Sequence, residues 1–216
     1  MGLFQRRSET GTSAPLYTIA AQKTILIVGL GNVGNQYDRT RHNVGFECID
    51  AYAHQNNFPK WIEKKDLKCL FTKQQIGSTT VILIKPTTYM NVSGEAVQAV
   101  QYFYKLPANN ILVMHDDVDI PFGEIRTKFG GGDAGHNGLK SIIKYIGNDF
   151  NRIRVGAAND KMAKISLENF VLMAFSSDEQ RHMATIFHET EQLITTYITN
   201  GTIEPKTITF AINNHS

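Results

Sequence analysis

Two cysteines in 216 residues are too few for a disulfide framework. Cys48 falls in an apolar helical pattern and Cys69 in a strand-like stretch, so both read as core or half-buried fillers, and a reducing compartment fits. No apolar run approaches the roughly 18 residues of a membrane span, which excludes a transmembrane helix. Residues 1–22 carry Arg6 and Arg7 but no apolar stretch after them, so they do not read as a secretory signal. They read as an N-terminal extension outside the fold, either a loose tail or an organelle address. A net charge of +2 is too small to name a partner. There is no internal repeat and no linker long enough to split domains. Residues 23–200 therefore read as one domain, followed by a C-terminal tail at 201–216.

What is present is a hydrophobic content of 42%, enough for a sizeable core, and an uneven charge. Pro121 to Val155 holds six bases and three acids, and Asp160 to Glu204 three bases and seven acids. A basic middle fits a polyanionic ligand or a solvated face. Ile25–Leu30 is a continuous apolar run, the pattern of a buried parallel strand. Further strands are expected at Leu67–Ile76, Val81–Lys85, Ile111–Met114, Gly123–Phe129 and Arg152–Ala157. Helical spacing predicts helices from Asn43 to Asn56, from Ser93 as N-cap, from Asn137 to Ile146, and along Met183 to Tyr197. Strands alternating with helices predict an α/β protein, a single-domain three-layer sandwich around a twisted mixed, largely parallel sheet. In such folds the working residues gather at the carboxyl ends of the strands.

The first strand runs into Gly29-x-Gly31-x-x-Gly34, the spacing of a dinucleotide-binding turn. The context fails. The turn is followed by polar NQYDRTRHN instead of a helix, and Asp50, at the right separation for a ribose, sits inside a helical pattern. The plainer expectation is a tight turn needing φ > 0. The loop then presents Asn32, Tyr37, Arg41, His42 and Asn43. Three more polar clusters follow at strand ends: PTTYMN from Pro86, MHDDVD from Met114 and GGGDAGHNG from Gly130.

These stretches, GLGNVGNQYDRTRHNVG, KPTTYMNVSGEAV, HDDVDIPFGEIRTKFGGGDAGHNGLKSI and RIRVG, occur in an order that closely resembles the bacterial-type peptidyl-tRNA hydrolase family, over roughly residues 24–200. The resemblance implies hydrolysis of the ester between a peptide and the terminal adenosine of tRNA. It implies His42 as the base that activates water, with Asp116 holding its tautomer. It implies that Asn32 contacts the water or the scissile region, that Asn91 binds peptide backbone, and that Asn137 places a water or binds near the 3′ end. Tyr37 and Met90 match cleft-lining positions, though each also suits a core or rim residue. His136 matches a family position, against a turn residue as the alternative. Asn137 equally suits a helix N-cap. Lys128 and Arg154 match the family's clamp for the tRNA 5′ phosphate, or are two surface bases. The segment Leu167 to Phe175 resembles a mobile lid, or is a plain core helix. The resemblance implies no cofactor and no metal. HDDVD offers metal-type ligands, but neighbours in one strand point to opposite faces and do not converge. The expected partner is peptidyl-tRNA, with no membrane, for a cytoplasmic monomer, or an organellar one if residues 1–22 are an address.

The chain departs from the family pattern at Val33, where proline is usual, and at Asp133 and Ala134, where small or histidine residues and glycine are common. "AANDK" after Val155 replaces a more glycine-rich stretch. These positions bear on loop rigidity and RNA affinity. From another class, a non-hydrolytic RNA-binding homologue acting in intron splicing would keep the fold. The intact polar set favours hydrolysis.

Overall fold

β1 (Lys23–Gly29) lies in the middle of an eight-stranded sheet in the computed structural model, which describes residues 23–212. Its apolar run is continuous because both faces are covered. Ile25 and Ile27 point into one core, and Leu26 and Val28 into the other. β1 is flanked in parallel by β4 (Thr79–Pro86) and β5 (Ile111–Pro121), and β5 in turn by parallel β7 (Asn151–Ala158). The margins are antiparallel. β3 (Cys69–Ile76) pairs with β4 and β2 (Ile62–Lys64) with β3. At the other edge β6 (Glu124–Phe129) pairs with β7, and β8 (Thr207–Thr209) with β6. The sheet is therefore mixed, and its parallel part is the central four strands.

Helices α1 (Val44–Gln55) and α6 (Met183–Asn200) cover one face. Val44, Cys48, Ile49 and Tyr52 of α1 meet Ile194 and Tyr197 of α6 there. Helices α2 (Ser93–Tyr104) and α3 (Asn137–Ile146) cover the other face through Ala96, Val97, Val100, Leu139 and Ile142. This is the three-layer sandwich expected from the alternation of patterns. Two short helices, α4 (Leu167–Val171) and α5 (Ser177–Gln180), precede α6. No helix among the described residues is long and apolar enough to cross a membrane.

Several expectations shift. Ser93 is the first residue of α2, not its cap: Val92 holds the cap position, and the Ser93 hydroxyl donates to the Met90 carbonyl. β3 begins only at Cys69, because Lys65–Leu67 forms a 3-10 turn closed by Lys68 at φ +53°. β5 continues seven residues beyond Met114, to Pro121, because β7 keeps pairing with it through Asp117↔Gly156. The expected C-terminal tail contains β8, and its Ile203 is buried. Residues 1–22, expected as an extension, lie outside the described residues.

Candidate active site

The three glycines after β1 serve different ends. A Cβ on Gly29 would sit 2.3 Å from the Gly45 carbonyl oxygen, and one on Gly31 2.6 Å from the Phe46 ring. Both glycines thus let α1 approach the end of β1. Only Gly34 has the positive φ, +114°, that was expected of the whole turn. The close approach brings the start of α1, with His42 just before it, against the carboxyl ends of β1 and β5. Gly45 completes the contact, since its Cβ would meet the Met114 carbonyl at 2.4 Å.

Asn43 ties this loop together. Its Oδ1 accepts from the Asn32 backbone N–H at 2.8 Å, and its Nδ2 donates to the Asn32 carbonyl at 3.0 Å. In the sequence Asn43 stands only as one polar loop residue among several. Asn32 is buried, and its own Oδ1 accepts from the Met90 N–H at 2.8 Å. That bond fixes the amide orientation and leaves Nδ2, a donor, for a ligand. Met90 is buried in the α2–α3 core. Asn91 is exposed on the turn Met90–Val92, and Tyr37 is half-buried.

The centre of the site is a carboxylate between two imidazoles. Asp116 Oδ1 lies 2.9 Å from His42 Nδ1 and 3.0 Å from His136 Nε2. The tautomers follow from the other partners. His136 Nδ1 accepts from the backbone N–H groups of Gly138 and Leu139, so the proton is on Nε2, which donates to Asp116. His136, not Asn137, is thus the N-cap of α3. Asp116 is buried, and burial alone would raise its pKa. The two imidazoles, by charge and by hydrogen bonds, overcome that and hold it well below the usual carboxylate range. It is therefore an anion, to which His42 Nδ1 donates. Among the described residues His42 Nε2 has no hydrogen-bond partner, so it is left with a lone pair. Burial pulls the His42 pKa down, but the charge and hydrogen bond of Asp116 outweigh it, and the net shift is upward.

His115 donates from Nδ1 to the Asp116 carbonyl at 2.6 Å and is buried, and its Nε2 has no partner among the described residues. Burial and the neighbouring His136 push its pKa down to about 3, so it stays neutral. As the alternation of a strand requires, His115 and Asp117 share one face of β5 and Asp116 takes the other. His42, Asp116 and His136 do place ligand-type atoms within 4.8 Å of one another. A cation there would need the His136 Nε2 lone pair, which the tautomer set by the α3 cap does not offer.

A cavity of about 300 Å³ opens beside this cluster, lined by His42, Asp116, His136 and Asn137, with Leu167 and Val171 of α4. The 167–175 segment therefore does border the site. It also contributes a fully buried core residue, Phe170. Asn32, Tyr37, Met90 and Asn91 do not line this cavity; Asn32 is linked to it through Asn43 beside His42, and Met90 through Asn32.

Lys128 and Arg154 border a second, open groove of about 470 Å³ at the sheet edge, with Arg126 and Lys206. Sequence reading had no signal for Lys206, which arrives with β8. Arg126 is paired with Glu124, and Arg154 donates from Nε to Asp117 at 2.8 Å. Lys128 has no carboxylate partner among the described residues. Beneath them Arg152 is buried and donates to the carbonyls of Gly131 and Gly132 at 2.6 Å each, which holds the glycine-rich loop in place.

The family model described as Peptidyl-tRNA hydrolase matches residues 26–215. A peptidyl-tRNA hydrolase of Lactobacillus gasseri is 40% identical over 174 residues, 80% of this chain and 92% of that protein. A chloroplastic peptidyl-tRNA hydrolase of Arabidopsis thaliana is 44% identical over 164 residues, 75% of this chain and 56% of that protein. The crystal structure of peptidyl-tRNA hydrolase from Acinetobacter baumannii superposes with a TM-score of 0.76 at 33% identity, covering 83% of this chain and 90% of that one.

Proposed function

The chain belongs to the peptidyl-tRNA hydrolase family, and from that premise we propose that it hydrolyses the ester joining a peptide, or an N-blocked amino acid, to the 3′-terminal adenosine of tRNA. The observation that carries the mechanism is the 2.9 Å hydrogen bond from His42 Nδ1 to a buried, ionised Asp116. It leaves Nε2 of His42 as a base beside the cavity.

Nε2 takes a proton from a water whose oxygen attacks the ester carbonyl carbon. Asp116 stabilises the imidazolium so formed and keeps the ring oriented, without itself being protonated. His136, bonded to the same carboxylate oxygen, fixes that oxygen between two donors. Nδ2 of Asn32, whose orientation the Met90 N–H sets, donates to the water or the developing oxyanion. Collapse of the tetrahedral intermediate breaks the bond to the ribose oxygen. That oxygen recovers the proton from His42, and the products are tRNA and a free peptide carboxylate. No protein nucleophile takes part.

Asn91 and Tyr37 receive the peptide side, with Met90 as the buried floor. Asn137 and the α4 side of the cavity receive the adenosine end. Lys128 and Arg154 hold the 5′ phosphate, the group that marks a complete tRNA end. Action as a monomer is part of this reading. The reaction belongs to the compartment that holds the tRNA, the cytoplasm or, if residues 1–22 are an address, an organelle.

The test is release of the acyl group from an N-blocked aminoacyl-tRNA, with chelator present. Wild type should turn over, and His42→Ala should lose about 10³-fold or more of kcat. Binding of tRNA without release by wild type would instead favour the RNA-binding, splicing-type reading.

A further inference from the structure

We propose that Asp117 is a positioning residue for recognition of the tRNA 5′ end: its carboxylate holds the Arg154 guanidinium by the Nε edge, so that the Nη groups face an incoming terminal phosphate. The inference rests on the reading of Arg154 as a phosphate ligand.

Asp117 and Arg154 lie on the same face of adjacent parallel strands. Arg154 is in register with His115, and Asp117 stands two residues further along β5. Opposite Asp117 is Gly156. Both carboxylate oxygens of Asp117 are used. Oδ2 accepts from Arg154 Nε at 2.8 Å, and Oδ1 accepts from the Asp119 N–H at 3.0 Å. The carboxylate is thus fixed from both ends, and its side chain is 5% exposed. The side chain of Arg154 is 22% exposed, and no other partner holds it among the described residues. One edge of the guanidinium is anchored and the fork is open.

An anion beside a phosphate site lowers the net attraction. What it contributes instead is direction. A bidentate guanidinium–phosphate contact needs a defined plane, and a long side chain already held in that plane has less to lose on binding. The pair also lies between the two depressions, since Asp117 borders the catalytic cavity and Arg154 the basic groove. Asp116, next in the chain, turns to the opposite face and holds His42. A single strand therefore fixes both the base and the phosphate ligand.

The experiment compares one N-acylaminoacyl-tRNA, carrying its 5′ monophosphate or treated with phosphatase, on wild type, Arg154→Ala, Asp117→Ala and Asp117→Asn. Wild type and Arg154→Ala establish the phosphate preference and its loss. Asp117→Ala should reduce the preference about tenfold, through KM on the phosphorylated substrate, the size expected when one long side chain must be ordered on binding. Asp117→Asn, whose amide oxygen still accepts from Nε, should recover part of it. If Arg154→Ala loses the preference and Asp117→Ala keeps it, the positioning role is overturned while the phosphate reading stands. Loss of kcat on both substrates alike, with the preference intact, also overturns it, by assigning Asp117 to the fold of the catalytic end. If Arg154→Ala itself keeps the wild-type preference, the phosphate reading falls and the inference with it.

Discussion

Arg41 and Arg154 both adjoin the catalytic pair, one preceding His42 and the other bonded to the residue after Asp116, and they are used in opposite ways. The Arg41 side chain is 2% exposed. Its Nε donates to the Ala157 carbonyl, Nη1 to the Ala174 carbonyl at 2.6 Å, and Nη2 to Glu179 at 2.6 Å. Its guanidinium also packs over the rings of Phe170 and Phe175, 4.7 and 4.9 Å from their centroids. Glu179 in turn caps α5 with Ser176 and accepts from Asn159. The protein thus engages Arg41 along its whole guanidinium, so it pins the loop of His42 to the 170–179 segment. Arg154 has one edge engaged and the fork open. Engagement by the protein's own groups separates an arginine that builds the site from one that serves a ligand.

The comparison breaks most visibly at the pinned end. Arg41→Met leaves Glu179 buried without its cation and should destabilise the fold by about 3–5 kcal/mol in urea unfolding. The double variant with Glu179→Gln should regain part of that. A loss below about 1 kcal/mol for Arg41→Met alone would mean that the pair does not pin the loop. At the open end the pattern should reverse. Arg154→Ala should cost about 1–3 kcal/mol, less than Arg41→Met, because the buried Asp117 loses its cation but keeps the Asp119 N–H. Its kcat/KM on 5′-phosphorylated substrate should drop about 10-fold to 100-fold with a shallower salt dependence, as measured by steady-state kinetics at several ionic strengths. The smallest effect belongs to the glycine-rich loop between them. Ala134 adopts φ +48°, a left-handed conformation costly for a side chain. Ala134→Gly should relieve that strain against a larger unfolded-state entropy, for a net gain of about 0.5 kcal/mol, read as a higher urea midpoint.

The central strands and the four main helices were legible because each carries its own apolar period, such as Ile25 to Val28 on β1. β5 was read short because HDDVD is polar and looks like a loop. Only its pairing with β7 keeps it extended. β2 and β8 are short, edge-lying and partly exposed, so no periodicity announces them. In the site, His42 and Asp116 were legible through the resemblance, and their mutual bond is a tertiary fact across 74 positions. The α3 cap was misread by one residue, because Asn137 fits the usual preference and histidine caps are uncommon. Arg41, Asn43 and Asp117 left no local signal. Their roles depend on partners 11 to 138 residues away, which no spacing within the chain encodes.

The central claim is that Asp116 makes His42 the base. The direct measurement is the pH dependence of kcat/KM for wild type and Asp116→Asn. His42 must be neutral to accept a proton, and its pKa lies above 6.5. Wild-type kcat/KM should therefore fall with unit slope as pH drops through an apparent pKa above 6.5. In Asp116→Asn the carboxylate charge is gone and burial acts alone, so the acid limb should move below 6.5 while the plateau falls about 10²-fold to 10⁴-fold. An acid limb that stays in place, or moves up, in the variant would contradict the assignment of His42 and Asp116 as the working pair.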